Sequence, residues 1–448
     1  MARRKIVLVF LFLLFMALLL SPWASAPTSM PGTSGTQTMQ QTQPANEFEE
    51  MPDTLPQQTV DLHVTVALEA DEFAALLKQN EEQAYKFRDI RISLTRLDPQ
   101  DALRVLRHAS RIGKSSDVML MNQEWVKSFA VSGYLSPADG AFTGDALSEQ
   151  FDALTSQLRW NGYLWGVPRD FDPLVLVWNL PALQTLADGA DLEPPLQSLQ
   201  QWEALATGGK LSEPPLYWLA LGSQDPLALL YWLQAASGET TEMLVAAAAA
   251  EADPWSGSAA GEALALLDQE RAGVLFAADP AELAASLTEG RAVSAIVPHS
   301  LARRLISEQA SDRNALSVDY AAWKMPFVWP RARSFTISSH TEQGEAAQRW
   351  IAAMTDAQIQ EAIWPDSGKL PVYQSLYRSN FQPALRSLFP PSAASSFPHL
   401  PLPDFDPGLA DRLSGLGRWW QKFAAGPTDT EYWLAQWRRY LADPELHD

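Results

Sequence analysis

The sequence contains no cysteine, which excludes disulfides, thiolate nucleophiles, cysteine-ligated metals and attachment through a lipidated cysteine. Histidine is scarce too: His63, His108, His299, His340, His399 and His447 are the six, and they fall at no metal-ligand spacing. No glycine-rich phosphate loop, dinucleotide fingerprint or nucleophile elbow occurs, so no cofactor and no metal is expected, and any nucleotide hydrolysis belongs to a partner. Positive charge is short, with 33 Lys and Arg against 53 Asp and Glu and a formal net charge of −20. Nucleic acid and anionic membrane surfaces are poor partners for such a chain.

An unbroken apolar run, Ile6 to Leu20, follows Arg3, Arg4 and Lys5, and this is the pattern of a secretory leader. Ala24-Ser25-Ala26 offers a cleavage site, but Pro27 stands just after it and hinders processing. Residues 1–26 are therefore read as a signal peptide or an N-terminal membrane anchor, and the protein as extracytoplasmic, held at the cell surface by this segment or secreted after cleavage. Contact with the membrane is expected through that segment alone. Residues 27–57, rich in Thr, Gln, Ser, Pro and Gly, read as a disordered linker. The roughly 390 residues beyond it are enough for two or three domains, each able to bury a core.

From Asp61 the pattern is strand, helix, strand, helix, strand: Asp61 to Leu68, Glu69 to Lys86, Ile90 to Leu94, Pro99 to Arg111 and Ser116 to Met121. That order predicts a parallel, helix-covered sheet of the α/β class. Asn122, Glu124 and Trp125 then stand at a strand's carboxyl end, where open α/β sheets bind ligands. Further on, RWNGYLWGVPRDFDPLVLVWN, Arg159 to Asn179, joins an aromatic turn, a polar loop carrying Arg169, Asp170 and Asp172, and an apolar strand from Leu174. Glycines at 162 and 166 permit the turn, and Pro168 fixes its exit.

These segments resemble the extracellular solute-binding proteins of bacterial ABC importers, the sugar-binding, maltose-binding-protein-like family in particular. SDVMLMNQEWVKSFAVSGYLSPAD (Ser116 to Asp139) is similar to that family's strand, polar loop and helix block. AELAASLTEGRAVSAIVPHS is similar to its return strand. EAAQRWIAAMTDAQIQEAIWPDSGKLPVYQSLY carries its late helix pair followed by Gly368, Leu370, Pro371 and Tyr377, and Leu400 to Gly426 with Thr428 to Leu441 its closing helices. The resemblance implies a two-lobe, periplasmic-binding-protein-like (type II) α/β fold with hinge crossings and an interlobe cleft. On that reading residues 58–170 and 295–338 form the first lobe, and 171–294 and 339–448 the second. It also implies a small-molecule solute, a sugar or oligosaccharide, and ABC permease subunits as partners.

The candidate ligand-binding residues are Met121, Asn122, Glu124, Trp125, Arg169, Asp170, Asp172, Trp218, His299, Trp323 and Trp364. The chain has 17 tryptophans; indole faces stack on pyranose rings while carboxylates and amides take hydroxyl hydrogen bonds. Most indoles nevertheless belong to cores, and Trp178, inside an apolar run, is read as packing. Glu124, Asp170 and Asp172 also admit a glycosidase reading, since glycoside hydrolysis uses paired carboxylates, but sugar binding is favoured and no catalytic residue is assigned. An extracellular carbohydrate-active enzyme, and a solute receptor for a sensor kinase, are the alternatives.

Overall fold

The computed structural model describes residues 59–426 apart from 187–191, 197, 212–214, 240–256, 309–314, 325–327, 379–382 and 390–394; beyond 426 it describes only positions 432 and 435. The leader, the linker and the closing helix expected from Thr428 lie outside the described residues.

Along the chain come β1 (Val60–Ala67), α1 (Ala70–Gln83), β2 (Ile90–Leu97), α2 (Ala102–Arg111), β3 (Val118–Asn122), α3 (Gln123–Val131) and the short β4 (Leu135–Ser136). β1 pairs in parallel with both β2 and β3, as the alternation of strand and helix requires. A hairpin of β5 (Arg159–Trp160) and β6 (Tyr163–Leu164) turns on Asn161 and Gly162, both at positive φ, the two-residue geometry that Asn-Gly supplies. β7 (Val167–Asp170) then leaves for the first sheet and β8 (Leu174–Asn179) enters the second.

The second sheet is built from β8, β9 (Leu219–Gly222), β10 (Val274–Ala277), β11 (Ser294–Pro298) and β12 (Leu316–Asp319), in the order β10-β9-β11-β8-β12. Around it lie α4 (Leu199–Leu211), α5 (Pro226–Ser237), α6 (Ala259–Gln269), α7 (Pro280–Thr288) and α8 (His299–Glu308). β13 (Arg333–Ser338) returns to the first sheet, lying antiparallel to β3, β4 and β7. α9 (Gly344–Met354), α10 (Ala357–Ser367) and α11 (Leu409–Ala425) complete the ordered elements used below.

Two lobes result, and their membership corrects the expected boundaries. The segment 295–338 was assigned whole to the first lobe. β11 and β12 instead pair antiparallel with β8 in the second sheet, and only β13 crosses back. Likewise α9, expected in the second lobe, puts Ala346, Ala347, Trp350, Ile351 and Met354 into the core under the first sheet. In both cases strand register and helix burial, not chain order, decide the lobe.

The second lobe's core holds four indoles, Trp178, Trp202, Trp218 and Trp232, with ring centroids 4.8 to 6.2 Å apart. Edge-on and offset contacts of this kind add to the area they bury. α11 buries Leu409, Leu413, Leu416, Trp420 and Phe423, a helical stripe that lies against α5 and also reaches α3 of the first lobe. Its Trp420 indole donates to the Gly222 carbonyl at 2.8 Å, and Pro226 meets the side of the helix at Gly417.

Three chain passages join the lobes and are laced together. Phe171 and Leu370 exchange backbone hydrogen bonds of 3.1 and 2.8 Å, and the Asp172 amide donates to the Pro330 carbonyl at 3.1 Å. Among the described residues no helix is long and apolar enough to cross a membrane.

Candidate functional site

The carboxyl ends of the two sheets face each other across these passages. β1 ends into α1, whose first turn carries Glu72 as the partner of Glu69 in a capping box. β3 ends at Asn122, and α3 begins with Gln123, Glu124 and Trp125. From the other lobe, β9 leads to Asp225, whose carboxylate caps α5 by accepting from the Leu227 amide at 3.0 Å. β11 leads to His299 and Ser300 at the start of α8. Arg333 opens β13 opposite Asn122 and Asp170.

A continuous ion-pair network fills the space between these ends. Arg333 grips Asp170 with two hydrogen bonds, Nε to Oδ1 at 2.8 Å and Nη2 to Oδ2 at 2.6 Å. Its third nitrogen, Nη1, donates to Glu72 at 2.9 Å. Lys369 Nζ lies 3.2 Å from Glu72 and 3.0 Å from Asp172, and Asp172 also accepts from the Ser300 amide at 2.9 Å and hydroxyl at 2.6 Å. Arg331 reaches Asp225 from a left-handed backbone, φ +49, a strain that side chains tolerate where surrounding contacts hold it. Gly368, also left-handed at φ +66, closes α10 and presses on Ser300 so closely that a Cβ would come within 3.2 Å of Ser300 Cα.

The electrostatics follow from burial set against pairing. Burial raises the carboxyl groups of Glu72, Asp170 and Asp172, but the facing cations more than offset it. Arg333 and Lys369 hold Glu72 well below the usual carboxylate range; Arg333 and Arg169 hold Asp170 low; Lys369 and the two Ser300 donors hold Asp172 low. Glu124 differs: burial dominates over its own backbone amide, Arg331 and the Asn122 side chain, pushing it up to about 6.

Arg169 is buried, with 6% of its surface exposed. Its Nη1 lies 3.3 Å from Asp170 Oδ2 without hydrogen-bond geometry, so Nε and Nη1 have no hydrogen-bond partner among the described residues. Burial and the neighbouring Arg333 pull its pKa down, against the pull of Asp170. The side chains meeting here thus offer saturated carboxylates and an unsatisfied guanidinium, an arrangement suited to a ligand rich in hydroxyl oxygens.

The sequence-derived candidates divide. Asn122, Glu124, Arg169, Asp170 and Asp172 come together here; Trp125, next along α3, is partly buried and packs against the Leu106 and Met121 cluster of the first lobe. Met121 does not: its side chain is in the first lobe's core with Met119 and Leu106, because alternate residues of β3 face opposite sides of the sheet. Trp218 is 0% exposed within the indole cluster, and Trp323 is stacked on Phe389 with its N–H donated to the Leu174 carbonyl. Neither offers a face to a solute. Trp364 is buried beneath the Arg303 guanidinium, 3.9 Å from the ring centroid. His299 sits behind Asp172 against Tyr320 and Trp323, and burial lowers its pKa.

Glu72, Asp225, Ser300, Arg331, Arg333 and Lys369 were missed. Local signals existed for two of them: Asp225 precedes a proline at a helix start, and Lys369 stands between the Gly368 and Leu370 of the late motif. A separate cavity of about 210 Å³, lined among others by Thr143, Glu149, Asp356 and Tyr373, contains none of these residues. Among the described residues no group of three or more His, Asp or Glu side chains is arranged to hold a metal ion.

Comparison with known proteins places this geometry. The family model for bacterial extracellular solute-binding proteins matches residues 75–385. The chain belongs to that family. Solved structures agree on the fold. The GacH receptor of Streptomyces glaucescens, a structure described in complex with acarbose, aligns with a TM-score of 0.63 at 15% identity over 85% of this chain and 97% of its own. The maltodextrin-binding domain MalE of Bdellovibrio bacteriovorus, bound to maltotriose, aligns at 0.65 and 15% over 87% and 100%. A solute-binding protein of Agrobacterium vitis with bound D-mannitol aligns at 0.64 and 13% over 86% and 98%. No curated protein matches the sequence. In this solute-binding protein the polar network therefore occupies the junction of two lobes with their sheet ends opposed.

Proposed function

We propose that this protein is the extracytoplasmic receptor of an ABC importer, capturing a carbohydrate between its lobes and presenting the closed form to the permease. The observation that carries the reading is the convergence of Glu72, Asn122, Glu124, Arg169, Asp170 and Arg333 from the first sheet's end with Asp172, Asp225 and Ser300 from the second's, and Arg331 between them, onto one junction. Fixed carboxylates and guanidinia recognise the donor and acceptor faces of sugar hydroxyls, and Trp125 adds an aromatic face beside them. Contacts made from both lobes stabilise the closed form over the open one, and only such a difference can drive closure. The saccharides named for the structural relatives fit the same chemistry.

Hydrolysis is disfavoured as the role of Asp170 and Asp172, which are bound by cations that keep them ionised. Glu124, pushed up to about 6, is the carboxyl of the three able to donate a proton as a glycosidase acid does, so glycan turnover is the measurement that separates the two readings. Membrane attachment through residues 1–26 would keep the receptor near its permease. A thermal-shift screen against neutral oligosaccharides tests the reading: a site ligand at 100 times its Kd adds about 2.7 kcal/mol of stability. Binding without release of reducing ends supports the receptor; turnover of any glycan, or a flat screen, counts against it.

A further inference from the structure

The cations at the junction come from different places. Arg333 and Arg169 arise from strands of the first sheet and Arg331 from the passage before β13, where it pairs with Asp225, whereas Lys369 is anchored with the second lobe and reaches across to the first. Its backbone is held on both sides, by Gly368 against Ser300 and by the hydrogen bonds of Leu370 with Phe171. Its ammonium then bridges Glu72 of α1 and Asp172 at the second lobe's entry. Resting on the reading of this junction as the solute site, we infer that Lys369 is a built-in occupant of the cleft: it ties the lobes together where a solute's hydrogen-bond donors must sit, and solute enters by displacing it.

The geometry permits displacement without collapse. When the lysine leaves, Glu72 keeps its 2.9 Å bond from Arg333 and Asp172 keeps both Ser300 donors, so the carboxylates stay placed. The flexible four-carbon stem of lysine can swing aside while its backbone stays fixed. Other ion pairs near the junction remain in place: Arg331 joins the passage before β13 to Asp225 at the start of α5, Lys127 of α3 is buried and reaches Asp404 and the Phe405 carbonyl, and Arg107 pairs with Asp411 at 2.7 Å; Lys369 differs from them in bridging Glu72 and Asp172.

The same step sets the class of ligand. Without Lys369 the immediate cluster is Glu72, Asp170 and Asp172 against Arg169 and Arg333, three negative charges against two positive, a formal −1. A group that replaces the ammonium must therefore donate hydrogen bonds, as the hydroxyls of a neutral sugar or the ammonium of an amino sugar do. A carboxylated or phosphorylated sugar meets like charge there and is refused.

Small-angle scattering of the full chain and of Lys369→Met, with no saccharide added, tests the tie directly. The variant should have the larger radius of gyration; equal radii overturn the inference. In calorimetric titrations with maltooligosaccharides, chitosan oligomers and oligogalacturonides, the variant should bind neutral or amino oligomers about tenfold more tightly, as expected when a competing charge-assisted contact is removed. Oligogalacturonides should bind neither protein. Unchanged or weaker binding by the variant, or preferential uptake of oligogalacturonides, overturns the role assigned to Lys369. Lys369→Gln, which keeps a donor but loses the charge, should change radius and affinity in the same direction by less, and it serves if the Met variant does not fold. If no saccharide binds either protein the carbohydrate reading fails, while the scattering comparison still decides the tie.

Discussion

Replacing Glu124 with Gln should stabilise the protein in mild alkali and leave it unchanged in acid. Glu124 lies in the first turn of α3 with its carboxyl buried, near Arg331 and also near Asp225, which repels it. Burial is the strongest influence and raises the group; its own backbone amide, Arg331 and Asn122 lower it by less, so it stands at about 6 where an ordinary glutamate stands at 4.5. The gap is about one and a half pH units, and at roughly 1.4 kcal/mol per unit it is worth about 2 kcal/mol. The folded pKa lies above the unfolded one, so ionisation costs the folded state. That cost is fully present above about pH 6 and is relieved as pH falls towards 4.5. Glutamine has the same shape and no charge to lose. Urea unfolding of both proteins should therefore show Glu124→Gln more stable by about 2 kcal/mol near pH 8, with the curves converging near pH 4. A difference independent of pH, or a less stable variant near pH 8, would refute the reasoning and show that Arg331 stabilises the carboxylate more than burial penalises it.

Asp170→Asn should destabilise the protein at neutral pH by about 3–5 kcal/mol, because it strips the doubly bonded partner from Arg333 and leaves two buried guanidinia facing each other. Asp170 is held below its ordinary 3.8, so its contribution is present above that value and disappears as pH falls below it; a loss under 1 kcal/mol near neutrality would contradict the network. The indoles of Trp218 and Trp125 should separate cleanly. Trp218→Ala should lower stability by about 3–5 kcal/mol through the cavity it leaves, whereas Trp125→Ala should weaken saccharide binding by about 1 kcal/mol with little change in melting. Melting scans and calorimetric titrations of both variants check this, and the opposite pattern would exchange the roles assigned to them.

The fold was legible where local pattern and pairing coincide. Apolar strands such as Val118 to Met121 and Leu174 to Trp178, alternating with helices, specify a sheet covered by helices whatever its partners. The division into lobes was not legible at β11 and β12. Both read as short apolar strands that either sheet could accept, and only their register against β8 places them. Tryptophan count has the same weakness, since composition records an indole without its direction: Trp125 keeps part of its surface exposed in the first turn of α3, and Trp218 is sealed in a core. Asp170 and Asp172 could be found because a short charged link between two apolar strands has little else to do. Their partners could not, since Arg333 stands 163 residues from Asp170 and Lys369 stands 197 from Asp172. At Lys369 the fixed residues of the late motif set the backbone, Gly368 by its left-handed turn and Leu370 by its pairing with Phe171. The residue between them is the one whose side chain enters the cleft. Gly368 and Leu370 thus set the geometry while Lys369 between them supplies the charge, and on the inference drawn above that makes position 369 a determinant of solute preference.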